Sequence, residues 1–388
     1  MEKKIAIIGI GNCGSQVAYL AEKKYSTLID SVYINTSEAD LAMVEGSIKF
    51  KIGNKEEIEG SGKNRYKMKS HLKDEIETIL SDQRFLSIIN AKKYVFIVVS
   101  AAGGTGSGAG PVFLEILRAC FPDVYFVLVG VLPTLQASLM EQGNTIEFLK
   151  ELYDDLDDTI TYMIYDNDTM SNKSPTECLE IVNDAIVEDI RILSGIDNYQ
   201  TPYDSIDDAD LESIITTPGR LLVTRVKKGL TEKILEDTLI DDIIVKHIKN
   251  SCHTETDRNK RVVRWGIITY FTEAVNKLYM TSYEKLIDFI GTPIERFNHH
   301  AINNKDETLN FLYLIASGLS PINDRVKKIQ DRIDELKNAL ANDDSSKYIL
   351  SGDSVAYDVL AARRKEERRA KQAESIRPKS MFDKFMKE

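Results

Sequence analysis

The chain has little sulfur, indole or imidazole: four cysteines, one tryptophan and five histidines in 388 residues. Cys13, Cys120, Cys178 and Cys252 lie far apart, with no Cys-x-x-Cys pair. That pattern excludes a disulfide framework and a cysteine zinc site, and it fits a reducing compartment. No apolar run approaches the roughly 18 residues of a membrane span. The opening "MEKKIAIIGIG" is interrupted by Gly9 and Gly11, which makes its apolar stretch too short for a secretory signal. An excess of positive charge is also missing. The net charge of -11 argues against non-specific nucleic-acid binding by the surface as a whole. These absences predict a soluble cytoplasmic protein with no membrane partner.

What is present is apolar and periodic. Apolar residues make up 43% of the chain, enough for a large core in two or three domains. The runs "KKIAIIGI", "DSVYINTS", "YVFIVVS", "VYFVLVGVLP" and "TITYMIYDND" alternate with helical patterns. Continuous β-branched and aromatic strands of this kind predict an α/β fold, with a parallel sheet covered on both faces. The stretch "MKSHLKDEIETILSDQRFLSIIN" has helical periodicity. Ser174, Pro175 and Glu177 spell a helix start. After them, Leu179, Val182, Ile186, Ile190 and Leu193 form one apolar stripe, and Ile181, Ala185 and Ile192 a second. A helix apolar on two sides is sandwiched. Beyond it, "GRLLVTRV", "RVVRWGIITYF" and "TLNFLYLIASG" predict a smaller α/β domain. The helix in "PINDRVKKIQDRIDELKNAL" carries Ile322, Val326, Ile329, Ile333 and Leu336 on one face and is expected on the outside of that second domain. The expected boundaries are 1–173 for a nucleotide domain, 174–197 for a central helix, 198–345 for the second domain with its outer helix, and 346–388 for a basic helical tail.

"SAAGGTGSGAG", residues 100–110, follows an apolar strand and opens a helix. Glycines let main-chain N–H groups converge without side-chain clashes, and a helix N-terminus adds partial positive charge, so this is an anion site. Thr105 and Ser107 add hydroxyls, and Pro111 suits a first helical turn. No Gly-Lys-Ser/Thr follows, and no lysine lies between Lys93 and Lys150, so the loop is not a P-loop. A second glycine loop, Gly9 to Gln16, matches G-x-G-x-x-G through Gly9, Gly11 and Gly14. Alone it suggests a nicotinamide-dependent Rossmann enzyme. That reading wants an acid at the end of the second strand, where Asn35 and Ser37 stand, and it leaves residues 103–108 unexplained. One nucleotide touched twice accounts for both loops: base side and proximal phosphates on the first, distal phosphates on the second.

The motifs resemble those of the tubulin/FtsZ superfamily. "GGTGSGAGP" resembles its signature loop. "GNCGSQ" is similar to the tubulin first loop G-Q-C-G-N-Q, with Ser15 replacing the asparagine. "NTSEAD", from Asn35, is similar to the N-T-D-A-Q of FtsZ. "YDNDTM" puts Asn167 and Asp168 where the family has an N-D or N-E pair, and "IVNDAI" puts Asn183 where the family reads guanine. The likeness runs in order from residue 5 to about 225. It implies a tubulin/FtsZ-like fold: a parallel-sheet GTP-binding domain, a long central helix, a smaller α/β C-terminal domain and a helical C-terminal tail. It also implies GTP or GDP as ligand, with Mg2+ on the phosphates. The implied nucleotide contacts are Gly11, Asn12, Cys13, Gly14, Gln16, Asn35, Gly103, Gly104, Thr105, Gly106, Ser107, Gly108, Glu141, Asn167 and Asn183. An asparagine amide offers a donor and an acceptor, which complements the guanine edge. Tyr165 is an expected aromatic neighbour of the base. "PTLQASLMEQG" lacks the arginine of the FtsZ fifth loop, which leaves Glu141 as the ribose partner. "GSGKN", Gly60 to Asn64, stands for the third loop, with Lys63 a charge for the γ-phosphate.

"TPYDSIDDADLESIITTPGR" lies where the family has N-x-D-x-x-D. Ser205 replaces the asparagine, Asp207 and Asp210 match the acids, and Asp208 takes over if the register slips by one. In the family this loop enters the pocket of the next subunit and polarises the attacking water, so the resemblance implies a GTPase completed by its neighbour in a head-to-tail filament. Carboxylates suit that task because phosphoryl transfer is mostly positioning and charge control. The same acids also suit a helix N-terminus on dipole grounds alone.

The last 28 residues hold ten Lys/Arg against five Asp/Glu. A basic, helix-prone end resembles the plasmid and phage TubZ branch. It implies a DNA-bound adaptor engaged through Arg363, Arg364, Arg368, Arg369 and Lys371, with Met381, Phe382, Phe385 and Met386 as an apolar hook and no sequence-specific nucleic-acid binding by the chain itself. The expected function is therefore a dynamic GTPase filament that moves plasmid or phage DNA. The alternatives are an FtsZ-like division or phage-centring filament and, more distantly, a NAD-dependent enzyme.

Overall fold

A computed structural model describes residues 5–342, apart from 47, 54–59, 61, 157, 194–207, 254–260 and 303–305. The N-terminal half opens with β1 (Ile5–Ile10), α1 (Gly11–Tyr25), β2 (Ile29–Asn35), α2 (Glu38–Ala42) and β3 (Lys49–Lys51). It continues with α3 (Arg65–Ser81), α4 (Gln83–Asn90), β4 (Tyr94–Ser100), α5 (Gly104–Cys120), β5 (Tyr125–Leu132), α6 (Leu139–Glu151) and β6 (Thr161–Asp166). A 3₁₀ turn, Asn167–Met170, leads to α7 (Pro175–Leu193) and α8 (Asp208–Ile215). The C-terminal half holds β7 (Gly219–Val226), α9 (Glu232–Leu235), α10 (Ile240–Lys249), β8 (Arg264–Phe271), α11 (Glu273–Leu278), α12 (Glu284–Ile290), β9 (Glu295–Ile302) and β10 (Phe311–Leu319). The last described element is α13 (Asn323–Asn342).

Among the described residues the strands form one sheet in the order β3-β2-β1-β4-β5-β6-β7-β10-β8-β9. β1 to β6 run parallel, and β10 is antiparallel to both β7 and β8. The halves meet where β6 pairs β7 over only Thr161↔Gly219 and Tyr162↔Arg220. β1 and β4 are buried along their length apart from the half-buried Ser100, because helices cover both faces. One face packs β-strand residues against Val17, Ala18 and Ala21 of α1 and Val182, Ile186 and Ile190 of α7, and this core continues under Phe311, Tyr313 and Ile315 of β10. The other face packs Ala109, Phe113 and Leu114 of α5 over the N-terminal strands. A third cluster, around Trp265, belongs to the C-terminal half alone.

Several expectations change. The helical periodicity over 68–90 is carried by two helices, because the Asp82 side chain accepts hydrogen bonds from Arg84 N and Phe85 N and starts α4 afresh. The Ser174 cap is present, with Glu177 N donating to Ser174 Oγ at 3.2 Å. Leu179, assigned to the buried stripe of α7, is 51% exposed. The helix expected outside the second domain packs elsewhere: Ile322, Ile329 and Ile333 join the N-terminal core. Its Arg325 makes a two-pronged contact with buried Asp166 and donates to Pro133 O at 2.8 Å. That buried pair explains the choice of half, since each charge would be costly alone. From Glu335 onward the chain is assigned to a second unit, of which only the end of α13 is described. No helix among the described residues is long and apolar enough to cross a membrane.

Candidate functional site

The connections reverse direction between β1 and β4. From β1 the chain goes to β2 and β3, and from β4 it goes to β5 and β6, so a crevice opens at the carboxyl ends of these two strands. Helices α1 and α5 begin there, each at a glycine loop. Ser37, Asn64, Asp82 and Ser138 cap α2, α3, α4 and α6 with side-chain hydrogen bonds. By contrast, α1 and α5 start at Ile10 and Gly103 with no side-chain cap. The first-turn N–H groups of α1 and α5 therefore lack the usual side-chain acceptor, and the helix dipoles point into one crevice.

The two loops touch. Gly11 has φ +74°, and a methyl on it would lie 3.3 Å from Gly106 N and 3.5 Å from Thr105 Cβ. Thr105 Oγ1 is 3.0 Å from Thr36 Oγ1, which brings the end of β2 into the same crevice. Asn12 is exposed, Cys13 and Gln16 are half-buried and Gly14 is buried. Burial pushes the Cys13 thiol up to about 12, so it remains protonated. The glycines divide by task. At Gly14 a methyl would strike Val98 O, and at Gly108 it would strike Arg65 O; both pack helix against neighbouring backbone. Gly103 has only the Ser100 side chain nearby, its Cβ at 3.9 Å, and stands open at the N-cap of α5. Gly104, Gly106 and Ser107 complete the buried first turn, where Ser107 Oγ donates back to Gly103 O.

The expected asparagines differ in availability. Asn35 is engaged: its Oδ1 accepts from Thr36 N at 2.8 Å, and its Nδ2 donates to Asp40 Oδ2 at 3.1 Å. Asn167 opens the 3₁₀ turn after β6 and accepts from Cys178 Sγ at 3.5 Å through its carbonyl. Asp168 Oδ1 accepts from Leu135 N at 2.8 Å and so braces the β5–α6 loop. Asn183 is the ninth residue of α7, half-buried, and its amide makes no hydrogen bond to another described residue. Tyr165 is not a base-stacking residue. It is fully buried, its hydroxyl donates to Asp189 Oδ2 at 2.8 Å, and its ring packs on His253 at 5.1 Å. Burial holds this cluster neutral, pushing Asp189 well above the carboxylate range and His253 down to about 3.

Glu141 forms a capping box with Ser138 and an ion pair with Lys63 at 2.8 Å. Burial pushes its carboxyl up, and the Lys63 ammonium and Ser138 donors outweigh that, leaving it below the usual range. Three residues outside the expected nucleotide contacts also shape the site. Thr36 meets Thr105 as described. Arg65, 1% exposed, donates to Ser107 O at 2.9 Å and grips Glu151 with two bonds. Asn144 donates to both Ala102 O and Lys63 O.

Asp207 lies outside the described residues, as do Arg363, Arg364, Arg368, Arg369 and Lys371. Asp208 begins α8, and Asp210 is exposed on it. Helix α8 sits at the amino ends of the strands. Lys93, just before β4, pairs with Glu212 at 2.8 Å, and Tyr125 Oη, at the start of β5, donates to Glu212 at 3.1 Å. Arg264, at the start of β8, donates to Ser213 O at 3.1 Å. The glycine loops are at the carboxyl ends. Between the two ends runs α7, 19 residues long, or about 28 Å at the helical rise. A cleft of about 610 Å³ also opens at the amino ends, lined by Arg118, Tyr125, Thr159 and Thr216 among others; it is separate from the crevice.

Residues 4–175 match the tubulin/FtsZ family, GTPase domain. The tubulin-like protein CetZ of Pyrococcus furiosus is 26% identical over 257 residues, which cover 63% of this chain and 66% of that relative. The fold matches Clostridium botulinum phage c-st TubZ with a TM-score of 0.67 at 18% identity, over 87% of this chain and 99% of that one. It also matches TubZ of Bacillus thuringiensis serovar israelensis, solved as a GTPγS-form protofilament, with a TM-score of 0.67 at 16% identity, over 89% and 94% of the two chains. With the glycine loops inside the matched segment, the dinucleotide alternative loses its basis. A switch-point crevice framed by two uncapped glycine-started helices, on this sheet and within this match, identifies residues 4–175 as a tubulin/FtsZ-family GTPase domain.

Proposed function

We propose that this protein binds and hydrolyses GTP and assembles head to tail, each subunit supplying the acids that complete the next subunit's site. The observation that carries this reading is the separation within one chain. The crevice and the α8 acid Asp210 lie at opposite ends of a sheet bridged by the 28 Å length of α7 (about 28 Å). A carboxylate cannot orient a water on phosphates at that range, whereas stacking copies end on end brings the two together. Such a contact is heterologous and does not close, so it makes a filament.

In this mechanism the α1 and α5 N-termini hold the phosphates through main-chain N–H groups, with Thr105 and Ser107 hydroxyls beside them. Asn183 offers its amide to the guanine edge, Asn167 borders it, and Glu141 is the ribose partner. Mg2+, bound with the phosphates, supplies charge neutralisation, and this chain offers it hydroxyls and main chain around the crevice. Asp210, with Asp207, orients the attacking water from the neighbouring subunit. Specific activity should rise with protein concentration. A flat line from nanomolar to micromolar protein would reject the shared site.

For the cellular role we infer a filament that moves plasmid or phage DNA through a DNA-bound adaptor held by the basic tail. The fold likeness to phage TubZ supports it, as does the charge of residues 361–388. The likeness to the cell division protein FtsZ of Helicobacter pylori favours a second reading, an FtsZ-like division or phage-centring filament. Deleting 361–388 should spare GTP hydrolysis and abolish capture of adaptor–DNA complexes; retained capture would sink the tail's role.

A further inference from the structure

Besides Glu141, helix α6 brings to the crevice an amide that motif reading passed over. The Asn144 side chain is nearly buried, at 8% exposure. Its two N–H bonds go to Lys63 O at 2.9 Å and Ala102 O at 3.0 Å, which exhausts the donors of that group. These two carbonyls are equivalent in their settings. Ala102 immediately precedes Gly103, the N-cap of α5, and Lys63 immediately precedes Asn64, the N-cap of α3. Lys63 is one of two non-glycine residues with positive φ among the described residues, at +60°. Its side chain is gripped as well, by Glu141, one helical turn before Asn144 on α6. Neighbours at i and i+3 share a helix face, so the first two turns of α6 hold Lys63 by main chain and side chain together. Arg65 adds a second tie, donating to Ser107 O from the first turn of α3.

We propose that Asn144 is a positioning residue that clasps residues 62–64 to the α5 loop and so sets preference for a terminal phosphate over a diphosphate. The proposal rests on the GTP reading above. A left-handed lysine is unfavourable without support, and Asn144 supplies the bond that orients its carbonyl. With the clasp in place, the 62–64 segment stands at a fixed distance from the α5 N-terminus. Without it, the segment loses register with the end of the nucleotide, while the α1 side and the base contacts are untouched.

The test measures affinities for GDP and GTPγS, at protein concentrations too low for assembly, in the wild type, Asn144→Ala and Asn144→Asp. Both variants remove the two donors, and the second keeps the shape. The wild-type preference for GTPγS should fall about tenfold, the equivalent of roughly one net hydrogen bond, with GDP affinity within about twofold. Equal weakening of both nucleotides, or an unchanged ratio, would overturn the proposal. Hydrogen exchange on the unmodified chain gives a readout that does not depend on the variants folding. Amides 62–66 and 102–106 should gain protection together with GTPγS, and 62–66 should gain less with GDP; indifference of 62–66 to GTPγS overturns the clasp. If the wild type binds neither guanine nucleotide, the function reading falls first and takes the clasp with it. Intact wild-type binding with an unchanged ratio removes the clasp alone.

Discussion

Two glycines five residues apart should fail in opposite ways when each is given one methyl group. At Gly108 the methyl collides with Arg65 O and comes within 2.9 Å of Arg65 C and Cα, all main-chain atoms at the start of α3. A rigid helix start cannot rotate away, so α3 and α5 must separate, straining the Arg65 bond to Ser107 O. Overpacking of this kind costs about 1–3 kcal/mol, and at about 2–4 °C per kcal/mol for a large domain the Gly108→Ala melt should fall by about 2–12 °C. At Gly103 the nearest atoms are Ser100 Cβ at 3.9 Å and Ser100 Oγ at 4.0 Å, and the backbone, φ -71° and ψ 163°, suits alanine. Gly103→Ala should therefore keep its stability or gain about 0.4–1 kcal/mol. On the proposed phosphate-binding role of the α5 N-terminus, this methyl should obstruct the ligand, and GTP affinity should drop at least tenfold, about one charge-assisted hydrogen bond. Thermal melts and titration with a fluorescent GTP analogue separate the two. The reasoning is refuted if Gly108→Ala melts like the wild type, or if Gly103→Ala loses stability and keeps its affinity.

Asp210→Asn should leave nucleotide affinity unchanged and lower hydrolysis by about 10²–10⁴, the usual range for a lost acid–base group; phosphate release from sedimented polymer reads this, and unaltered turnover would remove Asp210 from the site. Asn183→Asp should weaken GTP by about tenfold to a hundredfold and favour a 2,6-diaminopurine nucleotide, whose 6-amino group donates where guanine O6 accepts; competition binding decides, and an unchanged base preference counts against the assignment. Asp189 is held neutral by burial, opposed by the Tyr165 hydrogen bond. The folded chain thus keeps a proton that the unfolded chain releases near pH 4, and stability falls as pH rises above that point. Urea melts of Asp189→Asn should show a flatter dependence from about pH 4 upward, and a slope equal to that of the wild type would contradict the neutral cluster. His253 acts in the other direction, since burial lowers it to about 3. Stability is lost as pH drops from about 6.5 toward 3, and His253→Gln should remove that part of the acid limb.

How much was legible follows from which physics is local. β1, β4 and β5 announce themselves because burial on both faces leaves unbroken apolar runs. β3 has three residues, and β9 reads "ERFNHHAI", an edge strand whose polar side chains hide the alternation. The break at Asp82 was concealed because apolar spacing continues across it while one side-chain cap ends the helix. Tyr165 was misread as a base partner because an aromatic near a site says nothing about which face of a strand it occupies. The glycine loops were legible as motifs, but their division of labour was not: Gly108 answers to Arg65, 43 residues away in the chain, and Gly103 to open space. Asn144 and Arg65 were invisible for the same reason, since each acts on a partner that only the folded chain brings near; Thr36 was legible as part of "NTSEAD", but its contact with Thr105 was not.

The join between β6 and β7 has a mechanical consequence. Two registered pairs hold that ladder, against six between β5 and β6. A slab reinforced everywhere but along one line flexes along that line, because few bonds resist it there. A load passed from one end of the molecule to the other would be taken up at this crease, with α7 beside it as the axle and the core under β10 as the bearing.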